Sequence, residues 1–257
     1  MLLAVDIGNT KIALGFLDGG TVVGKYRLTT AAEHSSDEYA MLLRRFMAMS
    51  SLGPDDIDGV AICSVVPKVM HAFRSAIVKL LGVEPLIVGP GVKTGVNLRL
   101  DNPHSVGTDR IADAVAAYHL YGGPVLVIDF GTATTYDYVD EHGSFTAGAI
   151  NVGFQTAANA LSGNTAQLPD VELDDPGTVL GRNTNAAIRA GLFYGFLGGV
   201  ELTIRRFAEE TGSQPKVVAT GGLGRLITRQ TKLIDVVDPD LIFKGLAIIH
   251  ARNQRPC

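Results

Sequence analysis

Asp129-Phe130-Gly131-Thr132 sets a carboxylate, a bare backbone and a hydroxyl at the end of an apolar run within Val127–Asp137. Those groups hold a cation and let a backbone approach a phosphate. The same order occurs once before, in Asp6-Ile7-Gly8-Asn9-Thr10-Lys11. Asp6 aligns with Asp129, Gly8 with Gly131 and Asn9 with Thr132. One such loop is ordinary turn chemistry; two, heading similar stretches, mark an internal duplication. Asp6 reads either as a turn carboxylate hydrogen-bonded to backbone or as a ligand, direct or through water, for a cation such as Mg²⁺ beside phosphate. Backbone N–H groups around Gly8, with Asn9 and Thr10, can donate to phosphate. Lys11 is either a counter-charge or a solvated strand residue. A third motif, Gly107-Thr108-Asp109-Arg110, opens a helix-like stretch. Asp109 is there either an acid that complements a helix dipole or a base for an attacking hydroxyl. Arg110 beside it can orient a substrate or phosphate.

These loops need strands to deliver them. Leu2–Val5, Lys11–Leu17 and Thr21–Leu28 read as three strands, the last two joined by the hairpin signal Asp18-Gly19-Gly20. A helix from Ser36, with Ser36 as its cap, runs to about Met49. Strands at Val60–Val66 and Leu86–Val88 and helices at Lys68–Leu81 and Ile111–Tyr121 complete the first half. Gly122-Gly123-Pro124 then breaks the chain. The second half repeats the order: strands at Val125–Ile128, Tyr136–Val139 and Ser144–Ile150, helices at Gln155–Leu161 and Asn183–Ala208, strands at Lys216–Thr220 and Leu233–Val237, and a last helix at Asp240–Arg252. Each half thus reads β-β-β-α-β-α-β-α, which predicts an α/β fold of two duplicated domains, residues 1–122 and 123–257. Each carries a mixed sheet with helices on its faces. Both Asp-x-Gly loops are expected to enter a nucleotide cleft between the halves.

Composition agrees with this. At 257 residues, 46% of them apolar, the chain can fill two cores. A net charge of −4 and a pI near 5.8, without a Lys/Arg cluster, argue against nucleic-acid binding. Cys63 reads as a small buried hydrophobe and Cys257 as a frayed terminal thiol, not as a disulfide or metal pair. Asp6 interrupts the apolar start, no basic region precedes it, and no uninterrupted apolar run approaches about 18 residues. The expectation is a soluble cytoplasmic protein with no membrane partner. The histidines are scattered without metal-ligand spacing; His104 reads as a surface turn residue near the third motif.

Taken in order, Asp6–Thr10, Gly107–Arg110, Asp129–Thr135, Gly181-Arg182-Asn183-Thr184, Thr220-Gly221-Gly222 and Asp238–Leu246 resemble the type III pantothenate kinases. These belong to the acetate kinase, sugar kinase, heat-shock and actin superfamily, whose domains are ribonuclease H-like. The resemblance spans nearly the whole chain. It implies ATP-dependent phosphorylation of pantothenate to 4'-phosphopantothenate, the first step of coenzyme A biosynthesis. It implies Mg²⁺, a monovalent cation (K⁺ or NH₄⁺) and a homodimer. By the same resemblance, Asp109 is the catalytic base and Gly107, Thr108, Asp109 and Arg110 meet the substrate. Thr184 reaches pantothenate from the neighbouring subunit; its other reading is a helix N-cap. Asp6, Ile7, Gly8, Asn9, Thr10, Lys11 and Thr132 contact ATP, Asp129 holds the monovalent cation, and Gly221 and Gly222 let the backbone approach adenosine. Two departures stand out. Ile150-Asn151-Val152-Gly153 lacks the proline common after the third strand, and Leu100 sits near the place of a substrate-contacting tyrosine of some relatives.

Other functions fit less well. Gly221-Gly222-Leu223-Gly224 is not Gly-x-Gly-x-x-Gly, and the three-strand meanders argue against a dinucleotide fold. Some relatives act as transcription accessory factors, which would predict a basic surface or degraded loops. Actin-like or heat-shock-like ATPases are longer. A kinase for another small alcohol remains an alternative, because fold alone does not set substrate.

Overall fold

The computed structural model describes residues 1–163 and 169–254; Cys257 lies outside them. The chain forms two units: Met1–His119 together with the segment from Asp240 onward, and Leu120–Pro239.

In the first unit, β1 (Leu2–Ile7), β2 (Lys11–Asp18) and β3 (Thr21–Thr29) form the meander. β4 (Gly59–Ser64) and β5 (Leu86–Ile87) extend it in the order β3-β2-β1-β4-β5. β1 and β2 run antiparallel, and β1 and β4 parallel with Asp6 opposite Cys63 and Ile7 opposite Ser64. Side chains on a strand alternate between faces. Leu3, Val5 and Ile7 therefore enter one core with Tyr39, Leu43, Phe73 and Ile77. These come from α1 (Ser36–Met49) and α2 (Pro67–Leu81). Ser35, not the expected Ser36, caps α1, because Glu38 lies three residues after it and closes a capping box. Ala4 and Cys63 face the other way, packing with Ile111 and Val115 of α3 (Thr108–Tyr121) and with Phe243, Leu246 and Ile249 of α7 (Leu241–Asn253). Asp6 has the parity of Ala4, so it points to the α3 side. The last helix, expected with the second half, instead covers β1 and β4. It crosses α3 so closely that a methyl at Gly245 would strike the Ala112 carbonyl. A two-residue strand, β6 (Asn97–Leu98), precedes α3.

The second unit repeats the plan. β7 (Val125–Phe130), β8 (Ala133–Val139) and β9 (Ser144–Val152) form a meander. β10 (Lys216–Gly221) and β11 (Val236–Val237) follow, giving β11-β10-β7-β8-β9. β7 pairs with β10 as β1 does with β4, with Asp129 opposite Thr220 and Phe130 opposite Gly221. The core joins Leu126, Ile128 and Tyr136 to Phe154 of α4 (Phe154–Gly163), Phe193 and Val200 of α5 (Thr184–Thr211), and Ile227 of α6 (Gly224–Thr228). At the ends of this unit the Tyr121 hydroxyl donates to the Asp238 carboxylate at 2.7 Å. By length and composition α5, with 28 residues and a mean window hydropathy of 1.2, is able to cross a bilayer, though only 22% of that window is buried. Arg189 and Glu201 interrupt its apolar stretch, so it carries no unbroken apolar run of that length.

Candidate active site

In the first unit the structure brings Asp6 and Asp109 together. Burial pushes the Asp6 carboxyl up to about 7, and the charge of Asp109 adds to it. The Cys63 thiol donates to Asp6 Oδ1 at 3.4 Å, opposing that rise. Burial also pushes the thiol itself up, so it remains a neutral donor. Asp109 lies in the first turn of α3, where its Oδ1 accepts from the Arg110 N–H at 2.8 Å. The loop after Asp6 closes on itself: Gly8 N–H donates to Lys11 O at 3.0 Å, and the Thr30 hydroxyl donates to Gly8 O at 2.7 Å. Gly8's own N–H is thus spent within the turn. The outward residues are Asn9, Thr10 and Lys11, all exposed.

The second loop is held differently. Gly131 N–H donates to Ala133 O at 3.1 Å. The Thr132 carbonyl is fixed twice, by Gly153 N–H at 3.1 Å and by the Thr156 hydroxyl at 2.7 Å. A methyl at Gly153 would collide with the carbonyls of Gly131 and Thr132. Asp129 is the last residue but one of β7, opposite Thr220, and the neighbouring Gly221 has φ +86°. A methyl at Gly221 would strike Asp129 Oδ1 and stand 2.7 Å from the backbone of Phe130. Nothing lies within 4 Å of the equivalent point on Gly222.

A third feature lies at the start of α5, where a cavity of about 730 Å³ is lined by Leu161, Gly181, Arg182, Thr184, Ile188 and Leu192 among others. Asn183, not Thr184, caps the helix, its side chain accepting from Ala186 N–H at 2.9 Å. That leaves Thr184 as the first helical residue on the cavity wall.

A family model described as type III pantothenate kinase matches residues 2–206. The chain belongs to the type III pantothenate kinase family. It is 56% identical over 255 residues to a type III pantothenate kinase of Bifidobacterium longum subsp. infantis, covering 99% of this chain and 100% of that one. It is 47% identical to one from Agathobacter rectalis, covering 99% and 98%. Among solved structures, a Sinorhizobium meliloti chain provisionally named a 2-dehydro-3-deoxygalactonokinase matches with a TM-score of 0.59 at 18% identity, covering 100% and 98%. That likeness concerns the fold alone.

For this family member, two of the residues read from sequence have another structural account. Gly8 closes its loop. Gly221 is glycine because Asp129 and Phe130 fill the place of its side chain, whereas the space at Gly222 is open. Sequence reasoning passed over Cys63, Gly153 and Thr156. Cys63 was visible only as an apolar residue, because the strand register sets it opposite Asp6. Gly153 stands directly after β9, in the stretch already noted for its missing proline. His104 sits exposed in a short turn, Pro103–Ser105.

Proposed function

We propose that this protein transfers the γ-phosphoryl group of ATP to the terminal hydroxyl of pantothenate, forming 4'-phosphopantothenate, the first step of coenzyme A biosynthesis. The observation that carries this reading is the Asp6–Asp109 pair, two acids on facing elements of one sheet-and-helix layer within a chain of this family. Asp109 takes the hydroxyl proton. A half-buried carboxyl raised to about 7 beside another acid fits a divalent cation, which would hold it ionised. Asp6 would carry Mg²⁺ directly or through water, and Mg²⁺ would supply charge neutralisation at the phosphates. Asn9, Thr10, Lys11 and Thr132 meet the ATP phosphates, and the open backbone at Gly222 suits adenosine. The test is ADP release across a panel of small alcohols. Turnover of another alcohol in preference to pantothenate would replace the substrate assignment.

We assign Asp129 to a monovalent cation, K⁺ or NH₄⁺. Asp129→Asn removes the carboxylate charge and keeps its shape, so it should raise the K⁺ concentration for half-maximal rate by about tenfold, in the range by which weakened support lowers affinity at an ion site. An unchanged K⁺ titration in the variant would remove Asp129 from that role.

The chain is expected to act as a homodimer. α5 leaves Leu202 60% exposed, and Val179 and Leu180 before it are 64% and 73% exposed. Such apolar surface, with Val179 and Leu180 close in sequence to Gly181 and Thr184 of the cavity wall, suits a second copy. Light scattering at micromolar concentration should give twice 27.1 kDa. A monomer, or partition into lipid vesicles instead, would overturn this.

A further inference from the structure

Thr108 and Gly107 belong to a motif whose resemblance makes them substrate contacts. Their geometry gives them different work. The Thr108 hydroxyl accepts from Ser64 N–H at 3.0 Å and donates to Ser64 O at 3.2 Å. A hydroxyl has one hydrogen and two lone pairs. Its hydrogen and one lone pair are therefore both committed to the backbone of a single residue. It has no hydrogen left to give a substrate.

Ser64 is the last residue of β4 and pairs with Ile7, next to the Asp6–Cys63 pair. Val65, which follows it, donates its N–H to Ile7 O at 3.1 Å. The Thr108 hydroxyl thus fastens the first turn of α3 to the strand pair that carries Asp6. Asp109 is the next residue along. Its Oδ1 lies in the volume that a side chain on Gly107 would occupy, and Val65 Cγ1 borders the same volume at 3.6 Å. Arg110 N–H donates to that oxygen at 2.8 Å. The carboxylate is the only flexible partner in this arrangement, so a methyl at residue 107 must move it.

We propose that the Thr108 hydroxyl and the side-chain-free Gly107 position Asp109 for proton transfer. This rests on the reading of Asp109 as the base. Near-attack geometry is steep: a misplacement of about 1 Å can cost about a hundredfold.

The test is a double-mutant cycle on the purified full-length enzyme. Thr108→Val keeps shape and loses both hydrogen bonds; it should lower kcat by about 10- to 100-fold and change the pantothenate KM by less than about threefold. Thr108→Ser keeps the hydroxyl and should restore kcat to within about threefold. In an Asp109→Asn background, Thr108→Val should cost less than about twofold more, because the residue it positions is already disabled. A raised KM with unchanged kcat would make Thr108 a substrate contact and overturn the proposal. Full additivity in the Asp109→Asn background would overturn it too. Gly107→Ala, with the same expected non-additivity, carries the test if Thr108→Val does not fold by circular dichroism. Asp109→Asn alone with parental kcat would overturn the base assignment itself. A crippled Asp109→Asn beside a silent Thr108→Val would overturn only the positioning role.

Discussion

Asp109→Asn is expected to lower kcat by at least about a hundredfold while leaving fold and ATP binding intact. The hydroxyl that attacks the γ-phosphorus must shed its proton, and a positioned carboxylate can accept it. Asn keeps the size of the side chain and still accepts from Arg110 N–H, so the local contacts survive. Only the capacity to take a proton goes. General-base removal costs about 10²–10⁴ in rate, or roughly 2.7–5.4 kcal/mol of barrier. The loose transition state of phosphoryl transfer places the loss toward the lower end of that range. The measurement is kcat of the purified variant, with circular dichroism and a nucleotide titration as controls. A folded, ATP-binding variant with parental kcat would reduce Asp109 to an acid that complements the start of α3.

Asp6→Asn should pull activity and stability in opposite directions. Its carboxyl is raised from 3.8 to about 7, first by burial and then by Asp109. The native state therefore binds the Asp6 proton more tightly than the unfolded state does. For an acid raised in this way, the contribution to stability is most favourable below about pH 4 and is lost as pH rises to about 7. Asn carries no such charge. The variant should match its parent near pH 4, gain about 1.5 kcal/mol at pH 5 and about 4 kcal/mol at pH 8, or about 8–16 °C in Tm at pH 8 without added Mg²⁺. Activity should fall more than about a hundredfold, since charge neutralisation at the phosphates is worth several kcal/mol. Mg²⁺ should raise the Tm of the parent and not that of the variant. A variant less stable than its parent at pH 8 would mean that Asp6 is ionised and well paired in the native protein.

The duplicated plan was legible because it is written twice in local chemistry. The loops at Asp6 and Asp129, the hairpin turns and the meanders all follow from short-range pattern. What lay beyond the sequence was parity and distance. Alternation along β1 sends Asp6 to the α3 side, but only the β1–β4 register reveals that Cys63 meets it. Glycine has a second cause for a related reason. Gly221, read as backbone room for adenosine, also has the place of its side chain filled by Asp129, which lies 92 positions away in sequence. The last helix was assigned by adjacency to the second half, while its apolar residues Phe243, Leu246 and Ile249 match the bare α3 face of the first sheet. Periodicity names an apolar face and is silent about which sheet it covers.

That last helix sets an order on how the protein is made. Leu120–Pro239 is an unbroken stretch whose ends are clasped by Tyr121 and Asp238, so it can close on itself as it leaves the ribosome. The sheet begun by the first residues cannot. Ala4, Ala61 and Cys63 have only part of their cover, Ile111 and Val115 of α3, until Phe243, Leu246 and Ile249 have been made. The unit begun first is thus finished after Leu120–Pro239 has been made, and the part of its sheet that α7 covers is the surface a chaperone would have to shield meanwhile.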